Sequence, residues 1–250
     1  MQTKAGKGIW YFSWGYNRNW FSKSDIRFTN NNAADESGNG VYDFTLTRLS
    51  AKDRPNFEDV FTKDITVPQF NARIGYYFND KHDFGIEMSY DHAKYVMVEN
   101  TPTHLKGTIH NIYYDQDTIV TPHWLSFEHT NGANYWMMNF VKKQTLIHSI
   151  NNKHWLSAVV KPGGGIVFPR TDVTLWGIEL NNRLHVAGYI FGIETGLRYE
   201  AFRHYFAELT FKGVYANYLN SLTVEGGKAS HHFWGDEAIL TVGYQFSIGN

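Results

Sequence analysis

The segment Ser126-Phe-Glu-His-Thr-Asn-Gly-Ala-Asn134 puts hydroxyl, imidazole, carboxylate and amide groups side by side. An imidazole such as His129 can take a proton from a hydroxyl, and Thr130 and Ser126 are the hydroxyls at hand, with Asn131 beside them. Successive residues of a strand face opposite ways. Thr130 is therefore expected to point away from His129, and so is Ser126. A bulge at Gly132 changes the facing only of residues beyond it. Histidines recur elsewhere: His231 and His232 near Asp236, then His104, His110 and His123, then His148 and His154. None has the spacing of a zinc site, so no metal and no cofactor is expected. Pro162-Gly163-Gly164-Gly165 is followed by neither Lys-Ser/Thr nor a helix, so it is not a phosphate loop.

The elements that must position these groups can be read from composition and period. The chain has 250 residues, no cysteine, 23 basic and 24 acidic residues, and a net charge of -1. It carries 8 Trp, 16 Tyr and 18 Phe, yet its mean hydropathy is -0.42. No apolar stretch reaches the ~20 residues that a membrane helix needs. The aromatic content excludes a disordered chain, the charge balance speaks against nucleic acid as a partner, and the missing cysteine excludes a disulfide scaffold. Met1–Gly8 has lysines but no apolar run behind it, so no secretory signal peptide is read there; if the protein is exported, this is the mature chain.

Eight segments alternate apolar and polar residues: Ile9–Trp20, Gln69–Phe78, Asp83–Val98, Asn134–Ile147, His154–Phe168, Ala187–Glu200, Tyr205–Tyr218 and Glu237–Ile248. Period two means strands with two unlike faces. Short turns at Asn79–His82, Asn151–Lys153 and Ala201–His204 alternate with long excursions at Phe21–Pro68, Glu99–Pro122, Pro169–Val186 and Asn220–Gly235. That rhythm predicts an all-β fold: an eight-stranded antiparallel up-and-down transmembrane barrel, a single domain over residues 1–250 with long extracellular loops. The excursion at residues 21–68 contains strand-like Asp25–Thr29 and Val41–Leu49 around a polar tip, so it is expected to rise as a β-hairpin. Eight strands enclose too little space for so many aromatics, so the apolar face is placed against lipid. Trp10, Trp14, Tyr16, Tyr76, Tyr199 and Tyr244 fit an interfacial girdle. The inner face then carries Arg73, Lys143, Lys161, Arg198 and Lys212 against Glu87, Asp91, Glu194, Glu208 and Glu237. Buried charges need partners, so a salt-bridged plug is expected rather than a pore.

The last strand resembles the C-terminal insertion signal of bacterial outer-membrane β-barrels, carried here by Thr241, Gly243, Phe246 and Ile248, with Gly249-Asn250 following. The resemblance implies a place in the cell outer membrane, contact with membrane lipid and lipopolysaccharide, and recognition by the outer-membrane assembly machinery during insertion. The segment at His129 is similar to the His-x-Ser-Asn-Gly motif of outer-membrane phospholipase A and to the related motif of lipid A deacylases. That likeness implies an outer-leaflet acyl hydrolase with His129 as base, but Asn131 stands where the nucleophile belongs. The other expectation is that His129, Asn131 and Asn134 form a hydrogen-bonded polar cluster at the outer barrel rim. The leading expectation for function is a non-enzymatic barrel that works through its loops or outer wall, as a structural or interaction protein within a larger complex of outer-membrane proteins. A lipid acyl hydrolase and a narrow channel are the alternatives.

Overall fold

A computed structural model describes residues 8–32, 40–78 and 83–247. In chain order the strands are β1 (Ile9–Phe21), β2 (Ser24–Asn30), β3 (Tyr42–Leu49), β4 (Ala51–Lys52), β5 (Phe70–Tyr77), β6 (Phe84–Asp91), β7 (Tyr95–Met97), β8 (Pro102–Ile109) and β9 (Ile112–Ile119). They continue with β10 (Leu125–His129), β11 (Tyr135–His148), β12 (His154–Val167), β13 (Asp172–Leu175), β14 (Ile178–Asn181), β15 (Gly188–Ala201), β16 (Tyr205–Leu222) and β17 (Lys228–Ser247). One short helix, α1 (Asp59–Thr62), lies between β4 and β5.

Eight of these strands pair in the order β1-β5-β6-β11-β12-β15-β16-β17, and β17 pairs back onto β1, which closes a barrel. Its stagger follows from the register. Stepping across the strands from Tyr11 leads to Gly75, Glu87, Asn139, Gly163, Gly192, Val214 and Gly235, and returns to β1 at Phe21, ten positions beyond the start. With rises of ~3.3 Å and strand spacings of ~4.8 Å, a shear of ten over eight strands sets a tilt of about 40°.

The outer face is apolar. Phe12, Ile74, Met88, Met138, Phe140, Phe191, Ile193, Leu209, Phe211, Leu240 and Val242 are all exposed. Aromatic residues bracket this belt ten positions apart along single strands: Tyr189 and Tyr199 on β15, Tyr205 and Tyr215 on β16, Trp234 and Tyr244 on β17. Tyr205 pairs with Tyr244, and Tyr215 with Trp234. Ten residues at that tilt span about 25 Å of membrane normal, the height of the apolar band of an outer-membrane barrel. Trp10 meets Tyr76 at 5.0 Å in the lower ring, and Trp14 stacks on Phe70 at 4.4 Å nearer the outer side.

Above the barrel the long extracellular excursions are themselves folded into strands. β16 and β17 run past the upper aromatic ring, and the top of β17 pairs with β2. β2, β3, β8 and β9 extend that sheet, while β14-β13-β10-β7-β4 form a second sheet. The two sheets enclose a continuous core that includes Ile26, Phe28, Phe44, Leu46, Leu105, Leu125, Phe127, Val173 and Leu175. The expected hairpin is β2–β3. The excursions at Glu99–Pro122 and Pro169–Val186 each hold a further hairpin, β8–β9 and β13–β14. The strand expected over Asp83–Val98 is two strands: β6 ends at Asp91, and Tyr95–Met97, buried on both faces, joins the other sheet. The turn Asn79–His82, Ile248 of the expected insertion signal, and residues 33–39 of the hairpin tip lie outside the described residues.

Candidate functional site

Two buried polar constellations sit on this frame, one inside the barrel and one in the cap above it. The first contains all ten lumen charges named from the sequence, each buried. Lys161 on β12 contacts Glu87 at 3.1 Å, Glu194 at 3.1 Å and Glu208 at 2.5 Å. Arg73 on β5 reaches Asp91 at 2.6 Å and Glu194 at 3.5 Å. Arg198 holds Glu208 at 2.6 Å, and Lys212 bridges Asp91 at 2.5 Å and Glu237 at 3.2 Å. Neutral donors complete the shell: the Tyr11 hydroxyl donates to Glu87 at 2.8 Å and the Thr210 hydroxyl to Glu194 at 2.9 Å. Because partners come from strands on different sides of the barrel, the network crosses the lumen. Lys143 pairs with Glu200 at 2.9 Å, an anion the sequence reading left out. The signal was present, since Glu200 shares the inward parity of Glu194 and Arg198.

Below the network the lumen is closed by Tyr11, Tyr77, Val141 and Phe206. The Arg198 guanidinium lies 4.6 Å from the Tyr11 ring and 4.0 Å from Phe206, so the cation is sandwiched as well as paired. Tyr11 can fold across the wall because residue 75 is glycine. A Cβ there would fall 2.2 Å from the Tyr11 ring.

The second constellation surrounds His129. The cap's core, above the upper aromatic ring, buries its ring completely among Phe127 at 4.9 Å, Tyr218 at 5.1 Å, His231 at 5.7 Å and Tyr95 at 5.9 Å. Neither ring nitrogen has a hydrogen-bond partner, and burial pushes the imidazole pKa down to about 3. His231 stacks on Tyr218 at 4.8 Å and has the Ser24 hydroxyl at 3.4 Å. Burial lowers its pKa as well.

This geometry corrects the expected polar cluster. Asn134 bonds the Tyr90 hydroxyl at 2.8 Å, His92 at 2.9 Å and the Phe168 carbonyl at 3.0 Å, while Asn131 is exposed and His129 sits apart in the aromatic core. The hydroxyls expected to face away from His129 do so. Thr130 donates to Glu128 at 2.8 Å, and Ser126 and Glu128 are partly exposed on the strand face opposite His129. A base without a hydroxyl in reach cannot generate an acyl nucleophile. Among the described residues no group of histidines and carboxylates is placed to hold a metal. His104 lies instead between Asp115 at 2.7 Å and Asp117 at 2.8 Å on the cap's surface.

A closed barrel with an apolar belt, aromatic rings at both borders and a charged interior defines the class: an eight-stranded β-barrel of the bacterial outer membrane. No family model matches the chain, and no curated protein matches it. Among solved structures it is similar to the outer membrane protein OprG from Pseudomonas aeruginosa, at 12% identity over 97% of each chain with a TM-score of 0.39. It is similar also to the outer membrane protein AlkL in lipid bilayers, at 9% identity over 100% of this chain and 95% of that one, TM-score 0.38. Ail, the attachment invasion locus protein of Yersinia pestis, shares 12% identity over 96% of this chain and 100% of its own, TM-score 0.34. The assignment to the class rests on the belt, the register and the lumen, not on these likenesses.

Proposed function

We propose that the barrel is an anchor for its cap, and that the cap is a docking platform for another outer-membrane component. One observation carries this reading: the segments that could have been mobile loops are instead packed as two sheets around a shared core, rooted in the barrel through β16 and β17. Barrel and cap are then joined through shared strands. A rigid, wide surface suits recognition of a partner. The cap also offers β9 as an edge strand, with Ile112, Tyr113 and Ile119 exposed, and such an edge can accept a strand from another chain. Membrane lipid and lipopolysaccharide are the barrel's surroundings in this reading. The assembly machinery would read the last strand through Thr241, Gly243 and the outward-facing Phe246.

The test is cross-linking in intact cells followed by gentle detergent extraction, with wild type against Tyr113→Lys and Ile119→Lys. A partner recovered with wild type and lost with the edge variants supports docking. A barrel that runs alone in every case overturns it. A plugged lumen also predicts a null result in planar bilayers: insertion without unitary conductance steps, for wild type and for Lys143→Ala at the periplasmic side. Discrete steps from wild type would mean that the ion pairs part under voltage and that the channel reading is the better one.

A further inference from the structure

The segment between β4 and β5 is packed outside the barrel wall rather than into the cap. Its ends are tied: the Gln69 backbone N–H donates to the Pro55 carbonyl at 3.0 Å, and Lys94 Nζ donates to the Val67 carbonyl at 2.7 Å and to Asn56 at 3.1 Å. Its middle rests on Tyr16. The Tyr16 hydroxyl donates to the Ile65 carbonyl at 3.5 Å, and the Phe57 ring meets Tyr16 edge-on at 6.0 Å.

Tyr16 fixes the height of this contact. Along β1 the outward residues are Trp10, Phe12, Trp14, Tyr16, Arg18 and Trp20. Tyr16 is the last before Arg18, whose guanidinium pairs with Asp53 at 2.7 Å. The segment thus descends from a polar anchor at Asp53 onto the upper part of the apolar belt. Yet two of its apolar side chains point away from the protein: Phe61 in α1 is 93% exposed and Ile65 is 55% exposed. In water such a cluster would be a liability. At the height of the belt it continues a surface that already faces lipid.

We propose that residues 55–68 form a wedge inserted into the outer leaflet, with Phe61 and Ile65 among the upper acyl chains and the exposed Glu58, Lys63 and Asp64 available to the headgroup zone. The occupant is a lipid surface, because the patch is continuous with the barrel's lipid-facing wall. The wedge is an interfacial contact of the kind that amphipathic segments make, and it sets the cap's orientation relative to the membrane. It is independent of whether the cap docks a partner.

The chain has no cysteine, so single-site spin labelling needs no prior substitution. Phe61→Cys, Phe140→Cys in the belt and Asp117→Cys on the cap's exposed face would each carry a nitroxide in phospholipid vesicles. Accessibility to molecular oxygen and to a polar nickel chelate is then compared. The expected result is an oxygen-to-nickel ratio at position 61 several-fold above that at 117 and close to that at 140. A ratio at 61 equal to that at 117 overturns the proposal. So does protection of the label from both reagents, which would mean that protein, a second copy of this chain included, covers the patch. Adding Lys94→Ala, which unties the segment, to each labelled variant is expected to lower the ratio at 61 while leaving that at 140 unchanged.

Discussion

Lys161→Ala is expected to destabilise the barrel by about 3–5 kcal/mol, the cost of leaving a buried ion pair without one partner. Lys161 contacts three carboxylates, on β6, β15 and β16. Its loss leaves Glu87 and Glu194 to share Arg73, which already holds Asp91, and leaves Glu208 to Arg198. With Glu200 counted, the buried lumen charges are Arg73, Lys143, Lys161, Arg198 and Lys212 against Glu87, Asp91, Glu194, Glu200, Glu208 and Glu237. The anions are already one in excess, so the lumen holds no spare cation to replace a deleted one. Lys161→Met with Glu194→Gln removes one charge of each sign. It keeps an acceptor for Thr210 and a partner for every remaining charged residue. It is expected to regain at least half of the loss, because the penalty lies in the orphaned charge rather than in the absent bridge. Urea unfolding in lipid vesicles, read by the gel shift between folded and heated barrel, measures both variants. A single variant within about 1 kcal/mol of wild type would mean that the orphaned carboxylates are relieved by entering water or by taking up a proton.

What the sequence showed and what it hid divide along one physical line. A strand with lipid on one side and a filled lumen on the other must alternate, so the barrel strands and the parity of each lumen charge could be read directly. Parity even continued where the reading stopped. Ala229, His231, Phe233 and Gly235 keep the inward phase of Glu237, Ile239 and Thr241 along β17, so His231 was visible as an inward residue. In the cap the β2–β3 hairpin alternates and was legible, but other strands do not separate two unlike environments. Tyr95–Met97 is buried on both faces, and most of β9 is exposed on both. Without contrast between faces there is no period to count. His129 was singled out for its neighbours in sequence. Its actual surroundings, Tyr95, Tyr218 and His231, come from strands far apart in the chain, and only their register brings them together.

That surrounding makes the cap acid-sensitive. His129 is held neutral, with its pKa lowered to about 3 by burial, against about 6.5 in an unfolded chain. The unfolded cap therefore binds more protons than the folded one between these values, and stability falls as pH falls through that window. The contribution is intact above pH 6.5. By pH 4.5 His129 alone is expected to have cost about 3 kcal/mol, two pH units at ~1.4 kcal/mol each. His231, lowered by burial and by the neighbouring His129, adds to the slope. His104, raised by hydrogen bonds to Asp117 and Asp115, acts in the opposite sense: its contribution is full below pH 6.5 and is lost as pH rises through its folded value. His129→Phe places a ring of similar size against Phe127 and Tyr218 and removes two nitrogens that have no partner. It is expected to raise cap stability at pH 7 by about 1–3 kcal/mol and to take one proton out of the acid slope. Amide hydrogen exchange of the β10 and β17 strands from pH 7 to pH 4, corrected for intrinsic rates, resolves cap opening from unfolding of the barrel. If His129→Phe keeps the full wild-type slope, the acid sensitivity belongs to His231 or to the barrel. If it destabilises the cap at pH 7, the imidazole has a water partner that phenylalanine cannot replace.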